Sequence, residues 1–159
     1  MEEVLRRLPS PVQTFLVRTS ILERLSASLC DVVLEQTDSQ KLLEFLERAN
    51  VFVTPLDGQR RWYRYHALFA EALRARLEQT EGEALSTLHL RASRWYAEQG
   101  FLTEAIRHAI SAPDWPRAAD LIEQKSTFIW VSSEHALVRR WLEKLPIEIM
   151  HLRPRLCSR

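Results

Sequence analysis

The chain has 159 residues, 22 basic and 21 acidic, and a formal net charge of +1. A dedicated nucleic-acid binder shows a larger basic excess, so any such surface must be local. Three glycines are scant for an enzyme built on phosphate loops, and no apolar run approaches a membrane span. Cys30 falls in an apolar stretch and Cys157 in a basic tail, so reduced thiols in a reducing compartment are expected. The opening MEEVLRRLPS lacks the apolar core of a signal peptide, and a soluble cytoplasmic chain is the expectation.

In chain order, EEVLRRLP predicts a short helix ended by Pro9. SPVQTFLVRTSIL follows, with Ser10 as cap, Pro11 in the first turn, and Val12, Phe15, Leu16 and Thr19 on one face. SASLCDVVLE predicts a short apolar helix. DSQKLLEFLERAN predicts another, capped by Asp38 or Ser39, with Leu42, Leu43, Phe45, Leu46 and Ala49 at helical spacing and a stop near Asn50. The period then changes. VFVTPL and RWYRYH are rich in β-branched and aromatic residues and flank the turn signal DGQR, which predicts a hairpin around Asp57 and Gly58. ALFAEALRARLEQ returns to helix. Helices followed by a two-stranded wing describe a winged-helix domain, expected over residues 1–80.

No strand signal occurs from about Glu83 onward. EALSTLHLRASRWYAEQG carries Leu85, Leu88, Ala92, Trp95 and Tyr96 on one stripe and ends at Gly100. FLTEAIRHAISA, DWPRAADLIEQ and SEHALVRRWLEKLP repeat the pattern, with alanines where helices would cross. This describes an α-solenoid of paired helices over residues 81–159, similar to tetratricopeptide (TPR) repeats without meeting their full consensus. RPRLC looks like the first turn of a further helix, so the chain is expected to be a piece of a longer protein. Its last pair is expected to leave apolar surface around Trp130, Val138, Trp141 and Leu145 partly uncovered. The fold class is therefore mainly α: a winged helix with one hairpin, then TPR-like helix pairs.

Catalytic motifs are missing from the sequence. It contains no phosphate loop ending in Gly-Lys-Ser/Thr, no Gly-x-Ser-x-Gly elbow and no Cys-x-x-Cys. None of the five histidines has a histidine three or four residues on, so no single helix offers paired imidazole ligands. The carboxylates read as solvated helix faces. The chain is not expected to be an enzyme, to bind a metal or to carry a cofactor of its own.

Four motifs in one order carry a resemblance. They are Phe15 to Leu25 (F-L-x-R-T-S-I-L-x-R-L), Leu43 to Phe52 (L-x-x-L-E-R-A-N-x-F), Arg61 to Phe69 (R-W-Y-R-Y-H-x-L-F) and Ala92 to Gly100 (A-x-x-W-Y-x-x-x-G). With them the chain resembles the segment after the nucleotide-binding domain in the MalT-like large ATP-dependent LuxR-family transcriptional regulators, a STAND NTPase family. The resemblance implies an order of modules: an ATP/ADP-binding NTPase domain, a winged helix, a TPR-like sensor, and a DNA-binding helix-turn-helix. This chain would be the middle of that switch. Its partners would be its own NTPase domain, the remaining repeats, and a small-molecule or protein effector. It would meet DNA only through the C-terminal domain it lacks, and no membrane.

The family's winged helix often carries a Met-His-Asp motif at the start of its last helix, whose histidine reaches the ADP phosphate in the closed state. Tyr65, His66 and Ala67 correspond, so the histidine is kept while Ala67 supplies no carboxylate. The resemblance thus implies His66 as a nucleotide-phosphate contact in the full-length protein, with Arg64 or Arg61 adding charge. A capping or packing histidine is the plainer reading. Arg60, Arg61 and Arg64 could equally edge a solvated wing, face the NTPase domain, or touch DNA. Against DNA, residues 38–48 hold Lys41 and Arg48 against Asp38, Glu44 and Glu47, a charge of 2 − 3 = −1, whereas a groove-reading helix is expected to be basic. Trp62, Tyr63 and Tyr65 read as sheet and core packing. Trp95, Tyr96, Trp115, Trp130 and Trp141 read as core between helix pairs or as an effector pocket. The competing functions are an autonomous DNA-binding winged helix and a TPR scaffold for protein partners.

Overall fold

The computed structural model describes residues 2–50, 52–129 and 134–157. These fall into two compact units, residues 1–88 and 89–159. Trp130 lies outside the described residues, as does the side chain of Cys157.

The first unit runs α1 (Glu2–Arg7), α2 (Ser10–Thr19), α3 (Ala27–Leu34), α4 (Ser39–Arg48), β1 (Val53–Pro55), β2 (Tyr63–Tyr65) and α5 (Ala67–Glu81). The α2 stripe is buried as its spacing predicts, Val12, Phe15, Leu16 and Thr19 all facing inward. Its cap differs. Pro9 occupies the N-cap position and Ser10 is already helical, because Pro11 fits the second position of the first turn. α3 begins at Ser26, whose hydroxyl accepts from the Leu29 amide at 3.2 Å. α4 is capped from outside: Asp38 sits at its N-cap without a side-chain bond, and Asp31 accepts from the Ser39 amide at 3.1 Å. Only Leu43, Leu46 and Ser39 of α4 are buried, while Phe45 is 44% exposed.

β1 and β2 pair antiparallel, with Val53 opposite Tyr65, Thr54 opposite Arg64 and Pro55 opposite Tyr63. Alternation puts Val53, Tyr63 and Tyr65 into the core and leaves Thr54 and Arg64 outside. The connection is longer than a two-residue turn. The Leu56 amide donates to the Trp62 carbonyl at 2.8 Å, and within the loop Asp57 Oδ1 accepts from the Arg61 amide at 2.9 Å. The wing also gains a third strand position that the sequence does not predict. Leu25 and Tyr63 exchange two backbone hydrogen bonds of 2.8 Å, adding a bridge to the hairpin. One residue of pairing leaves no period to detect in the sequence. α5 closes the unit against α2, joined by the Arg18–Glu81 ion pair at 2.8 Å and by Arg74 Nε donating to the Ser20 carbonyl at 2.7 Å.

α6 (Leu85–Glu98) follows a 3-10 turn (Gly82–Ala84). The second unit continues with α7 (Leu102–Ser111), α8 (Trp115–Ile129), α9 (His135–Lys144), α10 (Ile147–His151) and α11 (Pro154–Cys157). Gly100 follows α6 with φ +84, the left-handed step that ends a helix without a Cβ penalty. The crossing of α7 and α8 is built on Ala105, Ala109, Ala118 and Ala119, all fully buried. Trp141 and Leu145 are buried, contrary to the expectation of an uncovered end, and Val138 is half-buried. α9 packs on α8, and so do α10, which the sequence does not predict, and α11, which forms where RPRLC is expected to open a helix. Arg153 ties that end down by pairing with Asp120 and Glu123. Ile147 and Leu152 carry the exposed apolar surface instead.

Candidate functional site

His66 is the N-cap of α5, at the junction of the second hairpin strand and the last helix of the unit. It is exposed, and its side chain makes no capping hydrogen bond. Its amide donates to the Phe52 carbonyl at 2.8 Å, so the backbone is pinned while the ring faces out. The ring meets the edge of Phe52, centroids 6.5 Å apart. Phe52 in turn stacks on buried Phe69 at 4.8 Å, and Phe69 meets Tyr65 edge-on at 6.0 Å. A column of aromatics thus runs from the core to the imidazole.

Phe52 has φ 53, and Asn50 two residues earlier has φ 54. A left-handed backbone is costly for a bulky aromatic, and such strain persists only where its surroundings hold it. Here the Phe69 stack and the bond to the His66 amide hold it. Composition and periodicity do not single out Phe52. Its signal lies in the A-N-x-F ending of the second motif.

Arg64 is exposed on β2, two residues before His66, so strand alternation directs both outward. Arg61 is also exposed, its amide tied to Asp57. Arg60 has a different place: its guanidinium pairs with Glu47 of α4 at 3.1 Å, which holds the loop to that helix. Trp62 is half-buried with the Arg24 guanidinium over its ring at 5.0 Å, so its face is already taken. Tyr63 and Tyr65 are sealed in the core and offer no stacking surface. The free amides at a helix start favour anions, as does an imidazole N–H. Exposed His66 and Arg64 beside the α5 N-terminus form a surface able to accept a phosphate brought by another body.

In the second unit, Trp95 and Tyr96 are buried with their rings edge to face at 5.3 Å, and Trp115 is half-buried. One pair was beyond the reach of the sequence. His89 and His108 lie 19 residues apart on different helices, yet their Nδ1 atoms are 2.9 Å apart. Cys30 is fully buried, and burial together with neighbouring Asp31 pushes its thiol far above the ordinary range, so it is an unreactive core residue.

Four helices, a hairpin joined by a strand bridge, and a final helix opening on an exposed histidine define a winged-helix module followed by helix pairs. Residues 1–85 match a family model described as the MalT winged helix domain, and the chain belongs to that family. The serine/threonine-protein kinase PknK of Mycobacterium tuberculosis (strain ATCC 25618 / H37Rv) is 35% identical over 155 residues, covering 98% of this chain and 14% of that protein. The HTH-type transcriptional regulator MalT of Yersinia pestis (strain Pestoides F) is 32% identical over 156 residues, covering 98% of this chain and 17% of that protein. The chain spans about a sixth of the length of these curated relatives.

Proposed function

We propose that this chain is the middle regulatory segment of an ATP-dependent MalT-type transcriptional regulator. It relays nucleotide state and effector binding to a DNA-binding output carried elsewhere. The carrying observation is exposed His66 at the start of α5, backbone-pinned and aimed at solvent. In this reading an NTPase domain covers that surface in the closed state. His66 donates to an ADP phosphate, and Arg64 or Arg61 adds positive charge. Ala67 stands where the family's motif has an aspartate, so no part of this reading is assigned to a carboxylate at that position. The helix pairs of the second unit, TPR-like in this reading, take a small-molecule or protein effector. The segment itself has no catalytic group and holds no nucleotide alone.

The relatives support a module separable from its output. Nearly the whole chain aligns both with a protein named as a kinase and with one named as a transcriptional regulator. A segment shared by both outputs is better suited to gating than to performing either. An autonomous DNA reader is disfavoured by α4, whose half-buried Glu44 and Glu47 line one surface with Arg48 and Arg60, Glu47 being paired with Arg60 of the wing.

His66→Ala in the intact regulator tests the proposal. A hydrogen bond to a charged group is worth about 1.5–3 kcal/mol. If it exists only in the closed state, its loss favours the open state by roughly 10- to 100-fold. ADP retention should weaken and effector-independent transcription rise, while the stability of this chain stays the same. A lower melting temperature with unchanged basal transcription would assign His66 to packing instead.

A further inference from the structure

His89 on α6 and His108 on α7 are both half-buried, with Nδ1 atoms 2.9 Å apart and ring centroids 5.1 Å apart. Tyr96 of α6 lies flat on the His108 ring, centroids 5.5 Å apart and planes within 11°. The Nδ1 separation is that of an N–H···N hydrogen bond. A neutral imidazole has one N–H and one acceptor nitrogen, while an imidazolium has two N–H donors and no acceptor. The bond therefore holds with one hydrogen between the two Nδ1 atoms. Protonating both rings would turn N–H toward N–H and set two positive charges at hydrogen-bonding distance.

The surroundings favour one positive charge over two. Glu104 lies one turn before His108 on α7 and supports the first. Arg117 of α8, the helix packed on α7, donates from Nε to Ser93 Oγ at 3.0 Å, and Ser93 is one turn after His89. That guanidinium is the charged group of α8 held nearest to α6, with Asp114, Asp120, Glu98 and Arg94 around it, while Arg91 and Arg107 lie one or two residues from the pair and so on other faces of their helices. Asp120 of α8 is engaged by Arg153. The Tyr96 phenol, of a type that ionises near 10, stays neutral throughout this range. Among the described residues no cluster of three or more histidine, cysteine or carboxylate side chains could hold a metal.

We propose that His89 and His108 form an acid-sensitive latch between α6 and α7, closed with none or one added proton and released by the second. The second proton binds the closed latch more weakly than it binds a free imidazole. The latch's stabilisation is thus present above the ordinary imidazole value of about 6.5 and is lost as pH falls below it.

The test is a pH titration of the whole chain followed by the nitrogen resonances of its imidazole rings. The expected result is two separate steps for this pair, the second at least about one unit below 6.5, with the Nδ1–Nδ1 hydrogen bond broken in that step. In His89→Gln, His108 should titrate in a single step and the depressed one vanish. If that variant does not fold, the wild-type titration decides. Both rings becoming fully protonated together near 6.5, with no depressed second step, would overturn the latch. So would micromolar Zn2+ capturing both Nδ1 atoms, which would make the pair a metal site.

Discussion

Two tyrosines separated by one residue show how differently a buried hydroxyl can stand. The Tyr65 hydroxyl lies 2.6 Å from Thr19 Oγ1, and Thr19 Oγ1 lies 2.6 Å from the Phe15 carbonyl. A carbonyl only accepts, so the single threonine hydrogen goes to Phe15 and Tyr65 must donate to Thr19. Burial pushes the Tyr65 phenol far above its ordinary range, so it stays a neutral donor. The Tyr63 hydroxyl is also sealed and makes no hydrogen bond of normal geometry among the described residues, the Gln40 side chain lying only near enough to offset part of the upward push of burial on its phenol. Thr19→Val should therefore cost about 1–3 kcal/mol by stranding the Tyr65 hydroxyl, whereas Tyr63→Phe should be neutral or gain up to about 1 kcal/mol. Urea denaturation of the two variants checks the difference; equal losses would contradict it.

Between elements, the closest fit is the α7–α8 crossing. Ala109 is fully buried there beside Ala105, Ala118 and Ala119, so the helices approach with no room for longer side chains. Ala109→Leu should destabilise the chain by about 1–3 kcal/mol through overpacking. Ala75→Leu, on the exposed face of α5, should stay within about 0.5 kcal/mol. Thermal or urea unfolding of both variants measures the contrast, and tolerance of leucine at Ala109 would mean that the crossing is looser than its buried alanines imply.

Across the whole molecule, charge and the missing phosphate loop set the expectations. With a net charge of +1 and one wing arginine paired to Glu47, the chain should bind arbitrary duplex DNA weakly and with a shallow salt dependence. It should also hydrolyse no ATP and show no micromolar ATP or ADP site by calorimetry, because its sequence has no phosphate-loop motif to cradle the β-phosphate. Tight, steeply salt-dependent DNA binding would favour the autonomous reader. A micromolar nucleotide site in this chain would contradict the assignment of nucleotide binding to another domain.

Local pattern determined the helices, the hairpin and the helical second half, because periods of 3.6 and 2 are carried by residues close in sequence. Motif order was enough to indicate the family, and it placed His66 at a strand-to-helix junction. Tertiary structure decided what pairs across distance: the Leu25 bridge, the outside cap from Asp31, the packing of α10 and α11 on α8, and the meeting of His89 with His108. Each depends on two segments brought together by packing, so neither segment alone carries a signal for it. The same holds for Phe52, whose left-handed backbone is tolerated only because Phe69 and the His66 amide are there to hold it.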